Sequence, residues 1–330
     1  SKINRKDRIF FIGDECHHHG SEYLNQRLPK EVGYKLGLSA TPEHYINEEH
    51  NERLVSYYGK PVFRYTLEKA IKDNILCKYE YNLININLTF DEQEEYRELS
   101  KRISQRYAIS AGKSDNIMNS LIRQRTRLIG NAENKLVVLN DLLKNQKPEP
   151  YTLFYCAEGI IENEDNEIEY NEEDSSDATR QIEMVSELIS NHDWRSSRFT
   201  NREPKNIKPY ILNNFKNGTI DALVAMRCLD EGIDIPLCKT AYIIASSNNP
   251  RQFIQRRGRI LRKHPKKEKA VINDFFVSVP MIDSSNVYDT RHIRNEIKRV
   301  NEFSKLSTNH AQTYNAIRPI LIEYGLEEMV

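Results

Sequence analysis

Two adjacent carboxylates, Asp14 and Glu15, end the short apolar run Arg8-Ile9-Phe10-Phe11-Ile12-Gly13. Such a run predicts a strand buried on both faces. Acids at the carboxyl end of a buried parallel strand sit where α/β folds place chemistry. Asp14 suits Mg²⁺, held directly or through water, and Glu15 suits orienting and deprotonating an attacking water. A second group lies on the stretch Pro250 to Lys263. Asn249 is a good N-cap and Pro250 fits the first helical position. Arg251, Gln255, Arg259 and Arg262 follow at spacings of four, four and three, which predicts one shared helix face. Guanidinium forks fixed on one face suit polyphosphate oxygens, because arginine pairs bidentately and stays charged. Gly258 inside this helix costs about 1 kcal/mol relative to alanine, which predicts close packing there. A metal site made of Cys16, His17, His18 and His19 is the rival use of the first group. Consecutive residues cannot all face one ion, and no partner pair stands at zinc spacing.

These residues need elements to hold them. Tyr34 to Leu38 predicts a second short strand, ending in Ser39-Ala40-Thr41-Pro42. Pro61 to Cys77 predicts a helix and turn. Leu83 to Phe90 alternates, with Ile84, Ile86, Leu88 and Phe90 on one side, and predicts a strand. Thr89 and Glu92 form a capping-box signature before a helix carrying Tyr96, Leu99, Ile103 and Tyr107 at core spacing. Further helices are expected over Asn116 to Ile129 and Glu133 to Leu143. Gly112-Lys113-Ser114 imitates the end of a phosphate-binding loop. Tyr107 stands where its first glycine belongs and no strand precedes it, so it is set aside.

Lys147-Pro148-Glu149-Pro150 reads as a linker, and Tyr151 to Cys156 as a buried strand. Glu158 to Asp177 reads as a mobile acidic insertion, with Asp177 capping a helix that carries Ala178, Ile182, Val185 and Leu188. Phe199-Thr200 reads as a short strand. Pro209 to Lys216 is a helix closed by Gly218 at C′. Strands are expected at Asp221 to Met226, Thr240 to Ala245 and Ala270 to Phe276. Two amphipathic helices follow from Thr290, with Ile293, Ile297, Val300 and Phe303 as packing residues. Between two of these strands lies Arg227-Cys228-Leu229-Asp230-Glu231-Gly232-Ile233-Asp234-Ile235-Pro236. Gly232 there would let backbone N–H groups approach a phosphate.

The bulk composition fits this plan. A chain of 330 residues allows two domains. Its 38% hydrophobic and 29% charged residues are ordinary for a soluble globular protein. Net charge is zero, so the global field argues neither for nor against nucleic acid. Five scattered cysteines argue for reduced thiols and a cytoplasmic setting, not a disulfide framework. No apolar run approaches the roughly 20 residues that a membrane span needs, and no signal peptide opens the chain.

Asp14-Glu15-Cys16-His17 resembles the DExH motif of superfamily 2 helicases and translocases. Ser39-Ala40-Thr41-Pro42 resembles that family's third motif, Cys228 to Pro236 its fifth, and Gln255 to Arg262 its sixth. The fifth is closest to the repair-helicase (XPB-like) and restriction-motor branch. The resemblance runs to about residue 280, with four motifs in order. It implies an α/β fold of two RecA-like parallel-sheet lobes with C-terminal helices, the first lobe truncated. The implied domains are 1–80, a connecting strand and helices over 81–147, a second lobe over 148–283 and helices over 284–330. The implied activity is ATP hydrolysis driving a nucleic-acid helicase or translocase, with ATP and Mg²⁺ as cofactors. DNA is the expected track, and bacterial restriction, phage defence or repair the expected setting, with other subunits of such a complex as partners. Asp14 would hold Mg²⁺ and Glu15 activate water. Gln255, Arg259 and Arg262 would complete the site, and Gly232, Asp234 and His17 would serve the nucleotide. Ser39, Ala40 and Thr41 would couple it to nucleic acid, which Thr200 and Arg227 would touch. Asn201 replaces the family's usual glycine after Thr200, and Glu231 and Met226 depart from DEAD-type relatives. The family's phosphate loop is expected upstream of Ser1, which would leave this stretch inactive alone. A non-hydrolysing binding module and the motor subunit of a nuclease remain the alternatives.

Overall fold

The computed structural model describes residues 9–42, 47–109, 116–156, 172–200, 202–226, 237–245, 250–280 and 287–329. The chain divides into two compact units, Ser1–Thr66 with Glu162–Ile168, and Leu67–Ile161 with Glu169–Val330.

In the first unit β1 (Phe10–Gly13) runs into a 3-10 turn, Cys16–Gly20, followed by α1 (Glu22–Asn25), β2 (Tyr34–Gly37) and α2 (Glu48–Tyr58). β1 and β2 pair in parallel, Phe10 opposite Tyr34 and Gly13 opposite Gly37. β1 is not buried on both faces as its apolar run predicts. Phe11 packs against Tyr57 and Tyr58 of α2, while Phe10 and Ile12 face away and are 55% and 54% exposed. Helix α2 covers one face of a two-stranded sheet, and alternation sends every second side chain to the other.

The second unit contains α3 (Leu67–Lys72), β3 (Lys78–Asn87), α4 (Phe90–Ile109), α5 (Asn116–Gly130), α6 (Asn134–Lys144), β4 (Thr152–Tyr155), α7 (Glu172–Ser190), β5 (Ser196–Phe199), α8 (Lys208–Lys216), β6 (Ala222–Ala225), β7 (Thr240–Ile243), α9 (Pro250–Ile260), β8 (Lys269–Ser278), α10 (Val287–Ser304) and α11 (His310–Tyr324). Six strands form a parallel sheet in the order β3-β8-β7-β4-β6-β5, the α/β class the sequence implies. β4 is wholly buried, and the chain turns to opposite sides of it, toward β6 and toward β7. That is the switch point of an open parallel sheet, where α/β proteins hold ligands beyond the strand ends.

The strand expected at 83–90 begins earlier, at Lys78, and pairs with β8 along ten residues. It is an edge strand of this sheet, and α3 to α6 lie in the same compact unit, whose first residue is Leu67. Phe90, expected on the apolar side, opens α4 and is 73% exposed. The capping box forms: Thr89 N–H donates to Glu92 Oε2 at 2.8 Å, and Glu92 N–H donates to Thr89 Oγ1 at 3.4 Å. The other Glu92 oxygen accepts from Glu133 N–H at 2.9 Å, which ties the start of α4 to that of α6. Tyr96, Leu99 and Ile103 are buried as expected, but Tyr107 is 36% exposed. α7 starts at Glu172 and not after Asp177, so the end of the acidic stretch is helical. Acids at a helix N-terminus are favoured by its dipole. Residues 157–171 of that stretch, and Gly112-Lys113-Ser114, lie outside the described residues. α8 ends as expected, with Gly218 at φ 72.

An edge strand offers unpaired backbone groups to any passing strand. Here the chain between α10 and α11 covers them. Asn309 imitates a neighbouring strand: its Oδ1 accepts from Tyr81 N–H at 2.8 Å and its Nδ2 donates to Tyr81 O at 3.0 Å. Thr313 Oγ1 adds a bond to the same carbonyl at 2.8 Å, and Thr308 N–H donates to Tyr79 O at 2.8 Å. Further along, Asn134 Nδ2 donates to Asn87 O at 2.6 Å. Asn309→Ala should destabilise the second unit by about 1–2 kcal/mol, because Tyr81 N–H loses its partner and Tyr81 O keeps only the Thr313 hydroxyl. Urea unfolding measures this, and a loss under about 0.5 kcal/mol would reduce Asn309 to surface decoration.

Ile293, Ile297, Val300 and Phe303 of α10 are fully buried, as their spacing predicts. The same helix carries Arg299 into the core. Arg299 Nη1 donates to both Asp274 oxygens at 2.6 Å, and Nη2 donates to Glu296. Tyr81 O–H donates to Asp274 Oδ2 at 2.6 Å. Helix α10 is thereby fixed to β8 and β3 by a buried ionic knot. No described helix is long and apolar enough to cross a membrane.

Candidate nucleotide site

The DECH turn belongs to the first unit. Asp14 is exposed, and its Oδ1 accepts from Glu15 N–H at 3.0 Å. Glu15 holds a left-handed backbone, φ 46 and ψ 46, unusual for a residue with a side chain. Strain of this kind clusters at functional positions. The strand end also needs close contact. A Cβ on Gly13 would stand 2.1 Å from the Tyr58 hydroxyl oxygen.

His17 is 1% exposed, and its Nδ1 lies 3.3 Å from Glu15 Oε2 and 2.9 Å from Ser39 Oγ. Ser39 Oγ in turn accepts from Thr41 N–H at 3.1 Å. One buried imidazole thus joins the second acid of the pair to the Ser-Ala-Thr loop. Backbone bonds hold the two segments in register, Cys16 N–H to Leu38 O and Leu38 N–H to Gly13 O, both at 2.9 Å. Ala40 is exposed beside them.

Helix α2, which carries none of the sequence motifs, clasps this turn. His50 Nε2 lies 2.7 Å from His17 O, Arg53 Nε donates to Gly20 O at 2.6 Å, and Tyr58 Oη lies 2.5 Å from His19 Nδ1. A signal for it is present in the sequence: Asn47 caps the helix by accepting from His50 N–H, Glu48 and Glu49 fill its first turn, and His50, Arg53 and Tyr57 share a face. His17 and His19 turn to different neighbours, and the Cys16 thiol is buried, with its pKa raised by burial and by Glu15. Among the described residues no three His, Cys, Asp or Glu side chains are placed to share a metal ion. A single exposed carboxylate such as Asp14 still fits Mg²⁺, which keeps several waters and takes one or two carboxylates plus substrate phosphates.

The arginine helix is α9 of the second unit. Its run of arginines divides in two. Arg256 and Arg257 are 4% and 2% exposed and are structural. The Arg256 guanidinium lies 3.9 Å over the Tyr155 ring, while Arg257 donates to the Glu302 carbonyl and, at 2.6 Å, to the Glu302 carboxylate. Gln255 and Arg259 are half-buried. Arg262 is not on the helix face predicted for it. The helix ends at Ile260, and Arg262 is exposed beyond it, in an antiparallel bridge with Leu76. Close packing at Gly258 is absent too, because a Cβ there would meet no described atom within 4 Å. Asn249, the Arg251 side chain, and 227–236 with Arg227, Gly232 and Asp234 lie outside the described residues. Thr200 is 3% exposed, and its hydroxyl donates to Glu203 at 2.7 Å and accepts from Arg202 N–H at 3.1 Å. It shapes the turn after β5.

The carboxylate pair on a strand-end turn, the imidazole link to the Ser-Ala-Thr loop and the arginine helix on a parallel sheet all lie in stretches that resemble helicase motifs. The model of the helicase conserved C-terminal domain matches residues 171–264, so this segment is similar to the C-terminal lobe of superfamily 2 helicases. The DNA 3'-5' translocase XPB2 of Sulfurisphaera tokodaii is 26% identical over 275 residues, 78% of this chain and 56% of that protein. The type I restriction enzyme EcoAI endonuclease subunit of Escherichia coli is 25% identical over 151 residues, 43% of this chain and 17% of its own length. The chain thus spans about half of the first relative and under a fifth of the second. The solved Pyrococcus furiosus Hef helicase domain, 13% identical, superposes with a TM-score of 0.45, covering 86% of this chain and 73% of that one.

Proposed function

We propose that the chain is part of an ATP-driven motor that moves along nucleic acid, DNA by preference, in the cytoplasm. The observation that carries this reading is the Glu15–His17–Ser39 connection. It ties a water-activating carboxylate to a loop that can report its state, as a motor requires and a passive binder does not. Asp14 is assigned to Mg²⁺ and Glu15 to the attacking water. Gln255, Arg259 and Arg262 are assigned to the phosphate oxygens, and Gly232 and Asp234 to the nucleotide. Bound Mg²⁺ would supply positive charge to the transferring phosphoryl group. Thr200 and Arg227 are assigned to the nucleic-acid backbone, Thr200 only if its turn opens.

The test is Mg²⁺-dependent ATP hydrolysis by the intact protein containing this chain, with and without duplex and single-stranded DNA. DNA-stimulated turnover that falls about 10²–10³-fold in Arg259→Ala is expected. No turnover at all would favour a non-hydrolysing binding module. A second reading, the motor subunit of a restriction nuclease, draws on the likeness to the EcoAI subunit. DNA cleavage that persists in Arg259→Ala would support a separate nuclease.

A further inference from the structure

Lys267 follows α9 by seven residues and is 3% exposed. Its ammonium donates to Ile260 O at 2.5 Å and to Cys238 O at 2.9 Å, and it contacts the Cys77 thiol. Ile260 is the last residue of α9, and its carbonyl is among those that a helix leaves without an internal partner. A cation there also meets the negative end of the helix dipole. Ile260 stands between Arg259 and Arg262, one residue after the first and two before the second. Cys238 lies two residues beyond 227–236, the stretch with Gly232 and Asp234. Neighbouring bonds tighten the same point: Cys77 N–H donates to Leu261 O at 2.9 Å, and Lys267 N–H donates to His264 O at 2.9 Å.

We infer that Lys267 is a positioning residue, whose buried ammonium fixes the end of α9 against the chain entering β7 and so sets where Arg259 and Arg262 stand. Burying a cation is costly, and an apolar side chain of equal length would fill the space without that cost. What methionine cannot supply is the pair of carbonyl contacts. Burial also pushes the lysine pKa down, consistent with an ammonium kept from water. The catalytic consequence rests on the motor reading; the positional claim does not.

The experiment compares Lys267→Met with wild type in the intact protein by two measurements. The first is native-state trypsin cleavage after Arg259, Arg262 and Lys263, read beside the Tm. Roughly tenfold faster cleavage confined to this segment, at little changed Tm, is expected. The second is ATP turnover, with kcat lowered roughly tenfold or more and KM for ATP unchanged. Unchanged cleavage overturns the inference. So does faster cleavage throughout the chain with a matching fall in Tm, which would make Lys267 ordinary core. If wild type shows no ATP turnover, the motor reading fails, and the cleavage pattern still decides the claim about Lys267. Should the methionine variant not fold, Lys267→Gln is read by the same criteria.

Discussion

Glu15→Gln in the intact protein should lower kcat for ATP hydrolysis by about 10²–10⁴-fold while leaving nucleotide affinity unchanged. Glutamine keeps the length of the side chain and its contact with His17, so the turn should survive. What is lost is the capacity to take a proton from water. The position suits a general base, since its side chain is 41% exposed and so open to water, yet it is anchored at 3.3 Å by an imidazole that is itself buried. The left-handed backbone at Glu15 lies in a turn that α2 clasps at His17 and Gly20. Steady-state kinetics beside binding of a fluorescent ATP analogue separates the two effects. A drop in kcat under about tenfold would remove Glu15 from the role of base. Equal losses in binding and turnover would instead mean that the turn had collapsed.

The largest effect on stability is expected at Arg299. Replacing it with methionine should cost about 3–5 kcal/mol, because Asp274 and Glu296 would then lose the buried guanidinium that pairs with both. Asp274 is wholly buried, and Glu296 nearly so. Burial works against the Arg299 charge, yet Asp274 and Glu296 raise its pKa above the ordinary arginine value. Burial likewise disfavours the Glu296 charge, but Arg299 and His292 hold its pKa low. A carboxylate with a depressed folded-state pKa stabilises the fold above its unfolded value, and that stability is lost as pH falls. Without Arg299, burial would raise the Glu296 pKa, so the variant's deficit should shrink as pH falls and Glu296 takes up its proton, starting above the ordinary carboxylate range. Urea midpoints across that range measure it. A deficit under about 1 kcal/mol at neutral pH would show that the knot relaxes when cut.

Local chemistry is the most legible part of the sequence. The capping box at Thr89 and Glu92 is readable because both partners lie within one turn, and so is the glycine stop after α8. The strands of the parallel sheet are readable from short apolar runs between turn signals. What escapes is whatever depends on distant neighbours. β1 looks doubly buried because its run is wholly apolar, but its surroundings cover one face only. Arg256, Arg257, Arg259 and Arg262 look alike in sequence. Only the packing of α9 on Tyr155 and Glu302 marks Arg256 and Arg257 as structural. Lys267 goes unmarked for a related reason. It acts on backbone carbonyls contributed by other segments, and a carbonyl leaves no mark in a sequence.

The Asn309 side chain does for β3 what a seventh strand would otherwise do. A chain shortened before that residue would keep its arginine helix, would lose the part of its hydrophobic interior that α11 supplies through Ile317, Ile320 and Leu321, and would present an open ribbon margin. Its characteristic fault would then be self-association, one molecule annealing to the next along β3, and this would show as concentration-dependent assembly before any change in nucleotide chemistry.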